Sequence, residues 1–176
     1  MRLMLLRHAK SDWHAPSHDD FDRPLNKRGQ SAATRMGQFL RENRLQPSLI
    51  RCSSAQRTRE TLALMLPFFE FDTRIEIDQK LYHADLNHYQ AMVAGTAPHD
   101  ASMMIIGHNP TIGAYACQLA AEGEGQEMEN LAEKFPTCAL AVLDAAVSDW
   151  QDFKAARLTL FQTPRGLHGK NTDLRP

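Results

Sequence analysis

Short apolar runs alternate with amphipathic helical patterns along most of this chain, and this alternation limits the folds available to it. The apolar runs predict strands at Arg2–Leu6, Leu49–Ser53, Arg74–Ile77, Met103–Ile106, Ala139–Leu143 and Arg157–Phe161. Helical spacing of apolar residues predicts helices at Asn26–Asn43, Thr58–Leu66, Leu86–Ala94 and Thr111–Ala121. A helix between two strands makes the crossover that parallel pairing requires. The pattern therefore predicts an α/β fold, a three-layer α/β/α sandwich with a mostly parallel central sheet.

No helical pattern separates the last two predicted strands, so these two are candidates for antiparallel pairing. Turn-forming and polar residues predict loops at His14–Arg23 and Glu122–Glu129. We expect one domain over residues 1–165. From residue 166 to residue 176 the chain lacks periodicity, which is typical of a flexible tail.

Length and composition exclude several classes of protein. The 176 residues are enough for one ordinary domain with its own core. The formal net charge of −1 gives no electrostatic reason to bind nucleic acid. No apolar run is long enough to span a membrane or to form the hydrophobic region of a signal peptide. The 3 cysteines form no CxxC pair, so neither a disulfide framework nor a zinc site is indicated. We therefore expect a cytoplasmic protein without membrane or nucleic-acid partners.

Polar side chains follow three of the predicted strands at the point where each ends. Arg7 and His8 come directly after the first strand, residues 53–58 follow the second, and residues 107–110 follow the fourth. Because the carboxyl ends of parallel strands meet at one edge of a sheet, we expect these groups to converge. Arginine binds phosphoryl oxygens through a planar fork of donors, and a neutral imidazole can attack phosphorus. The sequence therefore indicates phosphate chemistry.

Two of the converging residues also have a purely structural interpretation. Arg57 is expected in the first turn of a helix capped by Ser53 or Ser54, where it could bind an anion or pair with Glu60 on the surface. His108 could help to hold a phosphoryl group, or it could be a core histidine whose ring is satisfied by backbone groups.

Two further residues are candidate substrate ligands. Asn109 has the residue type of a helix N-cap, with Pro110 suited to the first helical position. Arg23 lies in the first predicted loop, where it could contact substrate or form a surface ion pair with Asp20 or Asp22.

Four motifs, taken together, resemble the histidine phosphatase superfamily. In chain order they are Leu6-Arg7-His8-Ala9, Asp22-Arg23-Pro24-Leu25 followed by Arg28-Gly29, Ser53-Ser54-Ala55-Gln56-Arg57-Thr58, and Gly107-His108-Asn109-Pro110. They are most similar to its small SixA-like phosphohistidine phosphatase branch and cover residues 1 to about 165. The resemblance implies a phosphoglycerate mutase-like fold. It also implies that His8 is a nucleophile forming a phosphohistidine intermediate, and that Arg7, Arg57 and His108 hold the phosphoryl oxygens without metal or cofactor.

The chain departs from the family pattern at the proton donor. Members that cleave phosphate esters carry a carboxylate after the third strand region, whereas this segment reads Leu81-Tyr82-His83-Ala84-Asp85 and leaves His83 or Asp85 as substitutes. Loss of a positioned general acid typically lowers the rate about 100-fold to 10,000-fold for an alkoxide leaving group, while a phosphoramidate nitrogen leaves more easily. We therefore expect a phosphohistidine-bearing protein, such as a phosphotransfer protein, as substrate. The alternative within the superfamily is a small-molecule phosphomonoester.

Two other functional classes compete with this interpretation. A metallophosphoesterase is suggested by 8 histidines and by the Asp19-Asp20-Asp22 cluster, but the Asp-x-His pair that such a centre needs near a strand end is absent. Ala9 in place of the glycine of many family members is a departure that the SixA-like branch is expected to tolerate.

The second competing class is a non-catalytic phospho-binding module, which would keep the pocket without turnover. His8 argues against that class.

Overall fold

Seven strands form one sheet in the computed structural model of this protein, which describes residues 1–14, 19–69 and 72–168. In chain order the strands are β1 (Arg2–Arg7), β2 (Leu49–Ser53), β3 (Arg74–Asp78), β4 (Ser102–Gly107), β5 (Ala120–Gly123), β6 (Leu140–Asp144) and β7 (Ala156–Gln162). The α-helices within the described residues are α1 (Lys27–Glu42), α2 (Gln56–Met65), α3 (Leu86–Ala94), α4 (Thr111–Leu119) and α5 (Gly125–Glu133).

The strand order is β3-β2-β4-β1-β6-β7-β5. Strands β1 and β2 each pair in parallel with β4, β2 pairs in parallel with β3, and β5 pairs in parallel with β7. Strand β6 runs antiparallel to both of its neighbours, β1 and β7. The expectation of a mostly parallel sheet whose last two strands pair antiparallel is confirmed. Because β6 is antiparallel to both β1 and β7, these two strands run in the same direction and end at the same edge of the sheet.

Helices cover both faces of the sheet and divide the core in two. On β1, Leu3 and Leu5 point into the cluster formed with α3, α4 and α5, whereas Met4 and Leu6 point into the cluster formed with α1 and α2. All four side chains are fully buried, and burying a side chain of this size contributes about 1.5–3 kcal/mol. The predicted three-layer α/β/α sandwich is thus confirmed, and β1 lies in the middle of it.

Helix α1 lies one residue inside each end of the predicted helix at Asn26–Asn43, and both of these residues are its caps. The Asn26 side chain accepts a hydrogen bond from the Gly29 amide at 2.9 Å, and Asn43 is the C-cap residue. Gly29 is required by a close approach, because a Cβ there would collide with the carbonyl oxygen of Lys10. The start of α1 is thereby held against the segment that follows β1.

The predicted loop at Glu122–Glu129 is wrong, since this stretch contains the end of β5 and the start of α5. The predicted helix at Thr111–Ala121 ends at Leu119 instead, and the chain passes directly into β5. Strand β5 has four residues, pairs with β7 and buries little apolar surface, so its sequence carries no alternating apolar signal. Helix α5 fully buries Leu131 and leaves most of its surface in solvent.

The tail expected from residue 166 begins with a 3₁₀ turn at Gly166–His168, and its remainder lies outside the described residues. Residues 15–18 of the predicted loop at His14–Arg23 also lie outside the described residues. None of the helices described is long and apolar enough to cross a membrane.

Candidate active site

The ends of β1 and β4 bring two histidines side by side. Arg7 pairs in register with Gly107, and the His8 amide donates a hydrogen bond to the Gly107 carbonyl at 3.0 Å. The imidazole rings of His8 and His108 consequently lie with their centroids 5.2 Å apart. Gly107 is needed at this point because the Tyr89 hydroxyl occupies the space that a Cβ would fill. The convergence expected at the carboxyl edge of the sheet is therefore present.

The His8 ring is held in one tautomer. Its Nδ1 donates a hydrogen bond to the Ala9 carbonyl oxygen at 2.7 Å, which leaves the lone pair on Nε2. Burial lowers the pKa of His8 to about 3, opposed by the Ala9 hydrogen bond and reinforced by the charges of His108, Arg57 and Arg7. His8 is therefore a neutral imidazole near pH 7. The expected backbone acceptor for its second nitrogen is the Ala9 carbonyl.

Arg7 and Asn109 share one backbone acceptor. Arg7 Nη1 and Asn109 Nδ2 each donate to the Phe135 carbonyl oxygen at 2.9 Å. Burial, followed by the charge of Arg57, lowers the pKa of Arg7. The expected N-cap role of Asn109 is wrong, because Pro110 is the N-cap residue of α4 rather than its first helical residue and no side chain caps this helix. Asn109 instead lies beside the Arg7 guanidinium.

Arg57 lies in the first turn of α2 and is 5% exposed. The expected serine cap is absent, since Ala55 is the N-cap residue and makes no side-chain hydrogen bond. The alternative pairing with Glu60 is also wrong, because the Glu60 carboxylate accepts from the Leu25 amide and from the Gln56 side chain. The buried Arg57 guanidinium donates to the backbone carbonyl and the carboxylate of Asp20 instead.

His108 is positioned by Ser53, the last residue of β2. His108 Nε2 lies 2.8 Å from Ser53 Oγ, and Ser53 is fully buried. Burial lowers the pKa of His108 to about 4, with a further lowering from the charge of Arg57. Its Nδ1 has no partner among the described residues, so His108 is not a core histidine satisfied by backbone groups. Sequence reasoning considered Ser53 only as a helix cap.

Asp20 connects two of the arginines of the site, Arg23 and Arg57, to a tyrosine. Its carboxylate lies 2.7 Å from Arg23 Nη2 and 3.0 Å from Arg57 Nη2, and it accepts a hydrogen bond from the Tyr82 hydroxyl at 2.7 Å. The Arg23–Asp20 ion pair considered at the sequence level is therefore present. Burial alone would raise the pKa of Asp20, but Tyr82, Arg57 and Arg23 lower it on balance. Asp20 is an ionised carboxylate against the pocket arginines.

Several buried nitrogens on residues of this site have no hydrogen-bond partner in the described part of the chain. They are Arg7 Nε, Arg57 Nε, His108 Nδ1, and Nε and Nη1 of Arg23. A buried donor without a partner typically costs about 1–3 kcal/mol, so such groups in native proteins have a use. The guanidinium donors of Arg7 and Arg57, whose charges act on the His8 ring, suit the oxygens of a tetrahedral anion.

Sequence reasoning missed Asp20 and Tyr82 as members of this site. Tyr82 packs edge-on against Phe21 with ring centroids 5.0 Å apart, and its ring centroid lies 5.5 Å from that of His108. Only the position of Tyr82 inside the segment that should carry the proton donor could have indicated it.

The two proposed substitutes for the proton donor lie in different places. Asp85 caps α3, and its carboxylate accepts from the His88 amide at 2.8 Å. His83 packs against Tyr82 with ring centroids 4.1 Å apart and, together with His108, lines a cleft of about 250 Å³. Of the two candidate donors, only His83 borders this cleft. Within the described ranges, no group of three or more His, Cys, Asp or Glu side chains is arranged to hold a metal ion.

Known proteins with similar sequences and structures identify the family. The model of the histidine phosphatase superfamily (branch 1) matches residues 3–98. An uncharacterized protein of Mycobacterium leprae is 32% identical over 91% of this chain and 100% of its own length.

Two solved structures share both the fold and part of the sequence. One is provisionally assigned as the phosphohistidine phosphatase SixA of Agrobacterium tumefaciens. It is 36% identical, has a TM-score of 0.78, and the match covers 93% of this chain and 97% of that chain. Its counterpart from Nakamurella multipartitia, with the same provisional assignment, is 30% identical with a TM-score of 0.80, over 93% of this chain and 95% of that chain. These matches confirm the phosphoglycerate mutase-like fold. The chain therefore belongs to the histidine phosphatase superfamily (branch 1), within its SixA-like group, and is a phosphatase.

Proposed function

We propose that this protein removes phosphoryl groups from phosphohistidine side chains of other proteins, through a phosphohistidine intermediate on His8 and without a metal ion. The observation that carries the proposal is the arrangement around His8: a neutral ring with its lone pair on Nε2, beside the His108 ring and under the influence of the Arg57 and Arg7 charges. Arg7, Arg57 and His108 each have a buried nitrogen without a partner among the described residues. The assignment of two similar SixA structures as phosphohistidine phosphatases supports the same substrate class.

In the first step, His8 Nε2 attacks phosphorus and the bond from phosphorus to the substrate nitrogen breaks. The electron pair of that bond returns to the substrate imidazole. Arg7 and Arg57 stabilise the negative charge that develops on the equatorial phosphoryl oxygens. The ring of His8 becomes a phosphoimidazolium, whose Nδ1 proton remains bonded to the Ala9 carbonyl. The carbonyl thus stabilises the positive ring.

In the second step, water attacks the phosphorus bound to His8. The bond from phosphorus to Nε2 breaks, its electron pair returns to Nε2, and inorganic phosphate leaves as dihydrogen phosphate with the oxygen and both protons of the water, one of which it then releases to solvent. His8 is restored in the same tautomer, because Nδ1 keeps its proton throughout. A bound phosphoryl dianion would raise the pKa of His108, so that its Nδ1 could donate as part of a cation.

The nature of the leaving group favours a nitrogen–phosphorus bond. Of the two nearby carboxylates, Asp85 is committed to capping α3, and Asp20 is an anion paired with arginines. Neither is a carboxylic acid ready to protonate an alkoxide. A phosphoimidazole has its own basic ring nitrogen, which solvent can protonate, so the ring leaves as neutral imidazole without an acid from the enzyme.

The proposal is tested by trapping the intermediate. The protein is incubated briefly with a radiolabelled phosphohistidine protein, quenched in alkali and separated by electrophoresis. We expect an alkali-stable, acid-labile label on the wild type and none on His8→Ala. His99→Ala, which changes an exposed histidine remote from the pocket, is the matched control and should label normally. A label that survives in His8→Ala, or saturable binding without any covalent label in the wild type, would refute the mechanism.

The substrate class needs a separate measurement. We expect kcat/KM for a phosphohistidine peptide to exceed that for a phosphoserine peptide of the same sequence by at least about 100-fold, the lower bound for a missing general acid. Equal values for the two peptides would leave a His8-dependent phosphatase but exclude the proposed specificity.

A further inference from the structure

A second and larger cavity, of about 590 Å³, opens between the start of α1, the segment 134–137 after α5, and the end of β7. Four exposed cations line it: Lys10, Arg28, Lys134 and Arg165. We call this cavity the cationic groove. Glu133 is the one acidic residue among the described residues that line it. The four cations and the one carboxylate give the groove an excess of three positive charges, although the whole chain has a formal net charge of −1.

Among the described residues, the cations of the groove have no partners. None of them forms an ion pair or a side-chain hydrogen bond with the described residues, whereas Arg23 and Arg57 share Asp20. The first turn of α1 contains no acidic residue, so the positive end of the helix dipole adds to the charge of Arg28. Like charges gathered without counter-charges repel one another, and a bound anion relieves that repulsion.

The cationic groove lies at the same edge of the sheet as His8. Lys10 follows His8 by two positions, and its carbonyl oxygen accepts the Asn26 amide at 3.0 Å, which holds it at the start of α1. The Phe135 carbonyl contacts the Arg7 guanidinium, and residues 136 and 137 continue from it into the groove. Since β1 and β7 run in the same direction, the end of β7 reaches this edge as well.

We propose that the cationic groove binds an acidic segment of the protein substrate, next to the phosphohistidine that enters the His8 pocket. This inference rests on the proposed function. The type of donor distinguishes a protein segment from a small free anion. The His8 pocket is proposed to bind the phosphoryl group through buried donors such as Arg57, whereas every cation of the groove is exposed. Exposed cations on long side chains attract and align a charged partner surface rather than fix a small ion.

The test compares two phosphohistidine peptides of equal length. One carries aspartate and glutamate on both sides of the phosphohistidine, and the other carries asparagine and glutamine at the same positions. We expect the wild type to show a kcat/KM about three- to tenfold higher for the acidic peptide at low salt, with most of the difference in KM. The preference should shrink as salt is added.

The double variant Arg28→Glu/Lys134→Glu should lose this preference while hydrolysing the neutral peptide at the wild-type rate. Lys154→Glu is the matched control, because Lys154 is exposed and precedes β7 at the opposite edge of the sheet; it should keep the preference. Arg28→Gln/Lys134→Gln should give an intermediate result. The neutral-peptide rate reports on folding and on the proposed function, so its loss in the wild type would be a failure of the function rather than of the groove.

Equal kcat/KM values of the wild type for the two peptides would overturn the proposal. So would a preference that survives in the double variant, or one that Lys154→Glu removes to the same extent, since both results place the effect outside the groove.

Discussion

The Arg57 guanidinium donates two hydrogen bonds to Asp20, one to its backbone carbonyl oxygen at 2.6 Å and one to its carboxylate at 3.0 Å. Arg23 and Tyr82 contact the same carboxylate. The Asp20 carboxylate therefore already binds the arginine on which we propose that the phosphoryl group binds. The carboxylate and the phosphoryl group should compete for the donors of Arg57.

Removing that competitor should tighten anion binding. We expect Asp20→Asn to lower the inhibition constant of orthovanadate about three- to tenfold, because the amide keeps the shape but not the charge of the carboxylate. The constant is measured by steady-state inhibition of phosphohistidine peptide hydrolysis. Asp22→Asn, an exposed neighbour, is the control. An unchanged constant together with a large fall in kcat would mean that Asp20 acts in the chemical step instead.

Ser53 should position His108, and its removal should lower kcat. We expect Ser53→Ala to reduce kcat about 5- to 10-fold with little change in KM, which corresponds to the loss of one ordinary hydrogen bond. Ser54→Ala is a close control, since the Ser54 hydroxyl is buried without a partner among the described residues. If both variants lose the same activity, Ser53 contributes through packing and not through His108.

Stability should fall as the solution becomes acidic. His8 and His108 have folded-state pKa values lowered to about 3 and about 4, whereas an unfolded histidine titrates near 6.5. Between pH 6.5 and pH 4 the unfolded chain therefore binds protons that the folded chain does not, and each histidine contributes a loss of up to about 1.4 kcal/mol per pH unit. Above pH 6.5 these two residues should make no pH-dependent contribution.

Urea unfolding between pH 4 and pH 8 measures this dependence, and the slope in the double variant His8→Asn/His108→Asn should be smaller. His88→Asn provides a control at a partly buried histidine outside the pocket. A slope that the double variant leaves unchanged would contradict neutral burial of these two rings.

His83 and Asp85 can be separated by their effect on ester hydrolysis. We expect His83→Ala to reduce the residual hydrolysis of an alkyl phosphate ester about 10-fold or more, because His83, unlike Asp85, borders the cleft beside His108 and could protonate an alkoxide. Phosphohistidine hydrolysis should change little. Asp85→Asn preserves the helix cap and should change neither rate. A loss of ester hydrolysis in Asp85→Asn alone would reverse the assignment.

Much of the fold could be predicted from local patterns because each pattern reflects burial on one element. The alternation of apolar runs and amphipathic helices identified six of the seven strands described and four of the five α-helices, and α1 lies within one residue of each predicted end. Strand β5 and helix α5 were missed because they bury little apolar surface. The hydrogen bonding of β5 depends on β7, which lies far along the chain.

The sequence by itself determined the strand-end motifs, and with them the expectation that Arg7, His8, Arg57 and His108 meet at one edge of a parallel sheet. Tertiary structure alone decided what each side chain touches: Asp20 on Arg57, Ser53 on His108, and Phe135 beneath Arg7. It also placed Lys10 and Arg165 in one groove. The physical reason is the distance along the chain over which each interaction acts. Burial and helical spacing act between neighbours along the chain, whereas hydrogen bonds and charges act between residues that only folding brings together.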